Sequence, residues 1–113
     1  MTSELNRRTC TTCNKDTPPI TFIEALDYLH QLVDWELEGE TVLTRQLRFA
    51  DFRTAIDFIN AVGDLAEAEG HHPDIHLTGY NHVRLDLSTH VIKALSENDF
   101  ILAAKIDRLF PPV

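Results

Sequence analysis

The chain has 113 residues, a length that suits one domain with a modest core of its own and is too short for two. It carries 18 acidic and 10 basic residues, which gives a formal net charge of −8. Because phosphate backbones and anionic membranes are bound mainly by clustered Lys and Arg, this charge argues against nucleic acid or a membrane as a partner.

Residues 1–17 are polar and end at Pro18-Pro19, which predicts a flexible N-terminal tail before a single domain at residues 18–113. The basic pair Arg7-Arg8 is not followed by the apolar core of a secretory signal. No apolar run approaches the roughly 20 residues that span a membrane. We therefore expect a cytoplasmic protein.

Cys10 and Cys13 form a C-x-x-C pair within this tail. A structural zinc site needs four ligands, and no second Cys or His pair follows at the spacing of a zinc finger. A thioredoxin-like redox centre lies at the start of a helix that follows a strand, whereas polar tail residues surround this pair. The pattern favours an incidental pair or a local feature of the tail over a metal or redox site.

The first predicted elements are a helix and a hairpin. Thr21, followed three residues on by Glu24, predicts a capping box at the start of a helix over residues 21–33. The predicted apolar face of this helix consists of Phe22, Leu26, Leu29 and Val33. Residues 35–38 and the alternating segment 41–49 then predict two strands that pair as a hairpin.

The second half of the chain predicts a helix, two strands and a last helix. Asp51 and Gly70 are suited to cap the two ends of a helix. Its apolar stripe is Phe52, Ala55, Ile56, Ile59, Val62 and Ala66. The two strands are marked by Ile75, Leu77, Val83, Leu85 and Leu87. A last helix begins at Ser96, with Asp99 at its third position, and ends at Pro111-Pro112. Its apolar residues are Phe100, Ala103, Ala104 and Leu109.

The predicted order is α-β-β-α-β-β-α, and the predicted fold class is α+β. Tight turns within each strand pair favour a four-stranded antiparallel sheet with helices packed on one face. The last helix has apolar residues on more than one face, which would leave a face for a neighbouring subunit.

Three histidines lie at the ends of predicted elements. His71 and His72 follow the end of a helix, and Pro73 restricts His72 to an extended conformation. His90 lies just past the last strand. Histidine has an unperturbed pKa of about 6.5, so two such groups facing one small ligand supply an acid and a base together. The structural alternatives are capping of the helix carbonyls by the doublet and an exposed strand-end position for His90.

A shared metal ion is the weaker alternative for these imidazoles. Adjacent side chains of an extended segment diverge, so His71 and His72 are not suited to chelate one ion. His72 and His76 converge only on a helix, which Pro73 disfavours. We therefore predict no metal site.

The histidines belong to a longer ordered pattern. It reads E-x-x-x-H-H-P, then an aromatic residue seven positions after the proline, then S-T-H and E-N-D-F. In this chain the pattern falls on Glu67, His71, His72, Pro73, Tyr80, Ser88-Thr89-His90 and Glu97-Asn98-Asp99-Phe100. It resembles the pterin-4a-carbinolamine dehydratases, from about Pro18 to the C-terminus, and the resemblance implies the same α+β architecture.

The resemblance implies dehydration of a 4a-hydroxytetrahydropterin to quinonoid dihydropterin and water, in tetrahydrobiopterin recycling, without a metal or a cofactor. His72 and His90 are the implied acid and base, in either order, and His71 binds the substrate or shares the proton transfer. Asp99 is implied to position an imidazole, and its structural alternative is the capping box of the last helix. The implied substrate-binding residues are Glu67, Gly70, His71, His72, Pro73, Ser88, Thr89, His90 and Val91.

The resemblance also implies partners and an alternative function. Aromatic amino-acid hydroxylases release the substrate, so such an enzyme is an implied partner, and the family forms homodimers and homotetramers. Some relatives act as a dimerisation cofactor of a transcription factor or as assembly factors. A non-catalytic binding module on the same fold is therefore the alternative, although the chain keeps all three imidazoles, which favours an enzyme.

Overall fold

The computed structural model describes residues 5–11 and 13–109. These residues form three α-helices, which are α1 (Phe22–Leu29), α2 (Phe52–Glu69) and α3 (Glu97–Asp107). Their four strands are β1 (Glu36–Glu38), β2 (Val42–Arg48), β3 (Asp74–Thr78) and β4 (His82–Leu87). Two short 3-10 helices lie at Leu5–Arg7 and His90–Ile92. The predicted order of helices and strands is confirmed.

The four strands form one antiparallel sheet in the order β1-β2-β4-β3. The two predicted hairpins are joined through β2 and β4, which pair along the whole of β4. In β4 the burial alternates, since Val83, Leu85 and Leu87 are fully buried and the residues between them are half-buried. The predicted α+β fold with an antiparallel sheet is confirmed, and the packing of the helices on one face stays a prediction.

The helix ends carry the predicted caps. Thr21 Oγ1 accepts a hydrogen bond from the Glu24 amide at 3.1 Å, and the Thr21 amide donates back to the Glu24 carboxylate at 3.1 Å. Asp51 Oδ1 accepts from the Thr54 amide at 2.8 Å at the start of α2. Gly70 ends α2 at a φ of 68°, a left-handed conformation that glycine adopts because it has no Cβ atom.

Helix α1 ends at Leu29, before the predicted end at residue 33. The amides of Gln31 and Leu32 bond to carbonyls three residues back, at 2.9 and 3.1 Å, which tightens the chain into 3-10-type turns. The next amide, of Val33, donates to Asp107 Oδ2 at 2.9 Å. The predicted length was wrong because this contact with α3 draws the chain away from the helix axis.

Helix α1 also turns a different face inward from the one that its apolar pattern predicts. Phe22, Leu26 and Val33 are 50%, 41% and 54% exposed, and the buried residue is Ala25 at 3%. The ring of Tyr28 packs against Phe100 of α3 with the ring centroids 5.7 Å apart. The prediction holds for Leu29, which packs against the core, and was wrong for Phe22, Leu26 and Val33. The spacing of large apolar residues does not reveal that a small residue faces the core.

The buried face of helix α2 matches the predicted apolar stripe, except that Phe58 is buried in place of Phe52. Ala55, Val62 and Ala66 are buried as predicted, but Phe52 is 54% exposed. Phe58, which lies outside the predicted stripe, is buried and packs against the ring of Phe49. A phenylalanine in the first turn of a helix lies at the edge of the buried surface, which the helical period alone does not indicate.

The apolar side chains of helix α3 are buried within this one chain. Its residues 100–103 are at most 1% exposed, and Ile106 is fully buried. The 3-10 helix Leu5–Arg7 lies against α3, and Leu5, at 1% exposed, belongs to the same hydrophobic core. The expectation that α3 keeps a free apolar face for another subunit was therefore wrong, because N-terminal residues of the same chain cover that face.

The N-terminal residues are attached to α2 and α3 by hydrogen bonds. The Cys10 amide donates to Glu69 Oε1 at 3.0 Å. The Thr11 amide donates to Asn98 Oδ1 at 3.0 Å, and Asn98 Nδ2 donates to the Thr11 carbonyl at 2.6 Å. These contacts hold residues 10 and 11 to partners far away in sequence, and the flexible tail over residues 1–17 stays a prediction. The predicted stop at Pro111-Pro112 falls outside the described residues.

Candidate active site

The histidine doublet is presented by the end of α2. After Gly70, the His71 amide still bonds to the Ala66 carbonyl at 3.3 Å, and Pro73 then leads the chain into β3. The side chain of His71 is 10% exposed, whereas that of His72 is 59% exposed. Adjacent residues of an extended segment point in opposite directions, so the two rings lie in different environments.

His71 is held by Asp99, which lies in the first turn of α3. The His71 Nε2 atom lies 2.6 Å from Asp99 Oδ1, and the Asp99 side chain is fully buried. The other carboxylate oxygen accepts hydrogen bonds from the Thr89 hydroxyl at 2.8 Å and the Ser96 amide at 2.9 Å. A carboxylate only accepts hydrogen bonds, so opposite it Nε2 is the donor, and Nδ1 is the ring nitrogen that Asp99 does not contact. The capping contact and the contact to an imidazole are thus made by one carboxylate.

The connection between β4 and α3 carries the third histidine. Thr89 and Ala94 form an isolated antiparallel bridge, in which the Thr89 amide donates to the Ala94 carbonyl at 2.9 Å. Between them, the 3-10 helix His90–Ile92 and a positive φ of 52° at Lys93 reverse the chain. This reversal leaves the His90 side chain exposed at the surface.

These elements surround a cleft of about 200 Å³. Its lining residues are Cys13, Gly70, His71, His72, Ser88, Thr89, His90 and Val91. All three predicted histidines therefore line one cleft, together with four further residues that the sequence analysis names for substrate binding. Asp99 and Pro73 are not among the lining residues, and Asp99 is buried behind the His71 and Thr89 side chains.

Glu67 contacts His72 at the rim of this cleft instead of lining it. The His72 Nε2 and Glu67 Oε2 atoms lie 2.5 Å apart. Both side chains are largely exposed, at 59% and 78%, so water and salt weaken their attraction. Glu67 is therefore suited to orient the outer imidazole more than to stabilise the fold.

The family model described as Pterin 4 alpha carbinolamine dehydratase matches residues 18–109. The chain belongs to this family. A protein from Arabidopsis thaliana named Pterin-4-alpha-carbinolamine dehydratase 2, mitochondrial, is 44% identical over 111 residues, which cover 95% of this chain and 59% of that protein. A putative pterin-4-alpha-carbinolamine dehydratase from Methylococcus capsulatus is 47% identical over 106 residues, which cover 93% of this chain and 92% of that protein.

Two solved structures resemble this dehydratase-family chain. A transcriptional coactivator/pterin dehydratase from Brucella melitensis superposes with a TM-score of 0.74 at 32% sequence identity, over 80% of this chain and 97% of that one. A pterin dehydratase-like protein identified as a RuBisCO assembly factor in the alpha-carboxysome has a TM-score of 0.57 at 25% identity, over 68% of this chain and 89% of that one. The fold of this family is therefore associated with more than one kind of activity.

The other features of the family member lie away from the cleft. His76 is 3.4 Å from Asp86 on β4, and its side chain is 53% exposed. Within residues 5–11 and 13–109, no three His, Cys, Asp or Glu side chains are grouped to hold a metal ion.

The helices of the same residues include none with both the length and the apolar character of a membrane span. Because the Arabidopsis relative is named as mitochondrial, the expected cytoplasmic location stays a prediction.

A larger cavity, of about 480 Å³, lies beside β1 and β2 and contains no histidine. It is lined by Asp34, Trp35, Glu36, Thr44, Arg45 and Gln46. Behind it, Asp107 accepts hydrogen bonds from Arg45 Nη1 at 2.7 Å and from Trp35 Nε1 at 2.8 Å. Burial raises the pKa of Asp107, and these donors act against that rise. The cluster ties α3 to the first hairpin, so we assign it to the fold.

The cleft residue that the sequence analysis missed is Cys13. The C-x-x-C pair is visible in the sequence, but no pattern links it to the histidines, because a loop has no period from which its neighbours follow. The nearest signal is indirect: Asn98, one residue before Asp99, accepts from and donates to the backbone of Thr11. Such a contact between residues 87 positions apart is not encoded in any local pattern.

Proposed function

We propose that this chain catalyses the dehydration of a 4a-hydroxytetrahydropterin to quinonoid dihydropterin and water. The observation that carries the proposal is one cleft lined by His71, His72 and His90, with the first ring fixed by the buried Asp99. The names of its relatives agree with this chemistry, since several are called pterin-4-alpha-carbinolamine dehydratases.

The reaction is an elimination that needs an acid and a base. The bond between ring carbon 4a and the hydroxyl oxygen breaks while that oxygen takes a proton, and water leaves. The adjacent ring nitrogen loses its proton, and the electron pair of that N–H bond forms the new carbon–nitrogen double bond. One proton is taken up and one is released, and no electron is transferred to another molecule, so positioned imidazoles are sufficient for the chemistry.

We assign the acid and the base to His72 and His90. Both side chains are exposed, His72 at 59%, so each exchanges protons with water and returns to its starting state between turnovers. His71 has one ring nitrogen committed to Asp99, which leaves the other to bind the pterin or to share the proton transfer. Ser88 and Thr89 add hydroxyl groups for the polar edge of the ring system.

A turnover assay with chemically generated 4a-carbinolamine tests this proposal. We expect the wild-type chain to exceed the uncatalysed dehydration rate, and the matched control His76→Ala to equal the wild type. His76 is an exposed histidine of the same domain that does not line the cleft. A wild-type rate equal to the uncatalysed one would exclude the dehydratase function.

In the cell, the substrate comes from an aromatic amino-acid hydroxylase, which releases the carbinolamine. The product then returns to tetrahydropterin by reduction, so the chain takes part in tetrahydrobiopterin recycling. Such a hydroxylase is the proposed functional partner. The net charge of −8 disfavours binding to nucleic acid or to an anionic membrane surface directly.

A non-catalytic binding module is the second candidate. Two similar structures support it, since one is of a transcriptional coactivator/pterin dehydratase and the other is of a RuBisCO assembly factor. The two candidates differ in what the imidazoles do, since a binding module needs the fold and not the three histidines. Absence of turnover together with a correctly folded chain would favour this candidate.

The proposed assembly is a homodimer or homotetramer. In the described part of the chain, β1 and β3 are edge strands, each paired on one side only. An edge strand pairs readily with a second copy across a two-fold axis. Exposed apolar side chains on and near α1 and at the start of α2 supply further contact surface, namely Phe22, Ile23, Leu26, Val33 and Phe52.

A further inference from the structure

The N-terminal segment, defined here as residues 5–11 and 13–17, precedes residue 18, at which the match to the family model begins. It is nevertheless bound to the helices that carry the site. Leu5 is buried in the core, and the Cys10 amide donates to Glu69 near the end of α2. Asn98 in the first turn of α3 makes two hydrogen bonds to the backbone of Thr11. The segment is therefore fixed to both elements that deliver His71 and Asp99.

The segment reaches the cleft through Cys13. Cys13 is the only residue of the segment that lines the cleft. The other lining residues all come from positions 70–72 and 88–91. Its Sγ accepts a hydrogen bond from Asn98 Nδ2 at 3.0 Å and lies 4.0 Å from Ser96 Oγ. Ser96 Oγ is in turn 2.7 Å from the hydroxyl of Thr89, which bonds to Asp99. The thiol is thus linked, through Ser96 and Thr89, to the carboxylate that bonds to His71.

We propose that the N-terminal segment forms one wall of the pterin cleft and that the Cys13 side chain contacts the bound pterin. This inference rests on the proposed dehydratase function and adds a binding residue to it. A cysteine side chain is a small, polarisable apolar group with only a weak hydrogen-bond donor, which suits contact with a flat heteroaromatic ring. Its loss therefore weakens binding of the substrate and leaves the proton transfers in place.

The two cysteines of the C-x-x-C pair then have different roles. Cys10 Sγ donates to the Asn98 carbonyl at 3.6 Å and is partly buried between α2 and α3. Burial raises the pKa of the Cys10 thiol to about 12, and the Glu69 carboxylate adds to the rise. Its reactive thiolate form is therefore scarce near neutral pH. Cys10 holds the segment against α2 and α3, whereas Cys13 lines the cleft.

Kinetics of Cys13→Phe test the contact with substrate. The larger ring fills part of the cleft, so we expect KM for the carbinolamine to rise by about tenfold while kcat stays within about twofold, the pattern of lost ground-state binding. Lys15→Ala is the matched control, because Lys15 is exposed two residues further on and does not line the cleft. An unchanged KM in folded Cys13→Phe, with active wild type, would overturn the inference and leave the dehydratase function standing.

Alkylation of the native thiol tests the same contact without filling the cleft. In Cys10→Ser, Cys13 is the only thiol left, since the chain has 2 cysteines. We expect 7,8-dihydrobiopterin at about ten times its Kd to slow iodoacetamide alkylation of Cys13 about tenfold, because the occupied cleft covers the sulfur. Equal alkylation rates with and without bound pterin would contradict the inference. A wild-type chain that neither turns over the carbinolamine nor binds dihydrobiopterin would overturn both proposals together.

Discussion

Asp99 and His71 lie 28 residues apart in the chain and meet at 2.6 Å between Oδ1 and Nε2. The carboxylate is fully buried, and its other oxygen accepts from the Thr89 hydroxyl and the Ser96 amide. One side chain therefore caps α3, supports the reversal after β4 and fixes the inner imidazole of the cleft. The position of His71 is set by the same contacts that set the start of the last helix.

Removal of any one imidazole from the cleft is expected to slow dehydration without unfolding the chain. His71→Ala, His72→Ala and His90→Ala should each lower turnover by about 10²–10⁴-fold, the usual contribution of a positioned acid or base. We expect the free energy of unfolding to fall only slightly when either exposed ring is removed. The loss should be larger for His71, whose side chain is 10% exposed. Steady-state rates and thermal melts measure both. Wild-type turnover in all three variants, with pterin binding intact, would reject the assignment.

Asp99→Asn is expected to lower both stability and turnover. The amide group has the size of the carboxylate but offers only one acceptor oxygen, while three donors surround Asp99 in the folded chain. We expect a loss of about 1–3 kcal/mol in the free energy of unfolding, because a buried donor is left unsatisfied. Denaturant titration measures it. Asp57→Asn, at an exposed position on α2, is the control and should change little. Equal stability of the two variants would argue against the role of Asp99.

The two glycines of α2 are expected to respond in opposite ways to alanine. Gly70 has a φ of 68°, so Gly70→Ala should lower the free energy of unfolding by about 1–2 kcal/mol. Gly63 lies within the helix, and a Cβ atom there meets nothing within 4 Å, so Gly63→Ala should raise stability by about 0.5–1 kcal/mol. Chemical unfolding of both variants gives the comparison. A stabilising Gly70→Ala would show that the left-handed turn before His71 is absent in solution.

The pH dependence of stability is expected to report the attachment of the N-terminal segment. Burial acts to raise the pKa of Glu69, but hydrogen bonds from the Cys10 amide and from Lys105 outweigh it and leave the pKa below its ordinary 4.5. A carboxyl with a depressed folded-state pKa stabilises the fold above the unfolded pKa, and this contribution is lost as the pH falls through the folded value. Between about pH 6 and about pH 3, wild type should therefore lose more stability than Glu69→Gln. Parallel acid curves for the two proteins would contradict this account.

Self-association is expected through the sheet edges and the exposed apolar residues near α1. Sedimentation equilibrium at micromolar concentration should give a mass above the 12.9 kDa of one chain. Ile23 is 79% exposed, so Ile23→Asp should weaken any association through α1 without lowering the stability of the monomer. A mass of one chain across the whole concentration range would end this claim and would not touch the dehydratase function.

Local signals predicted the elements and most of their ends, because a cap or a turn rests on neighbouring residues; the end of α1 is the exception. The Thr21 and Asp51 caps, the left-handed Gly70 and the alternation of β4 are all decided within a few positions of the chain. The motif resemblance predicted seven of the residues that line the cleft. It did not distinguish the buried His71 from the exposed His72, which depends on the direction in which α3 presents Asp99.

Long-range packing was not predictable in the same way. The buried face of α1 is set by Ala25, and the outer surface of α3 is covered by Leu5, more than 90 residues earlier in the chain. Neither contact leaves a periodic trace in the sequence. The role of Cys13 in the cleft escaped notice for the same reason, since it depends on where Asn98 holds the backbone of Thr11.

The burial of Leu5 has a consequence for how the length of this domain is defined. The match to the family model begins at residue 18, yet a side chain thirteen positions earlier is 1% exposed in the core. A fragment trimmed to the region of similarity would expose the apolar surface of α3 to water and would also lack one side of the cleft. The family model and the hydrophobic core thus mark different boundaries in this chain, and we expect a fragment that begins at Leu5 or earlier to fold better than one that begins at residue 18.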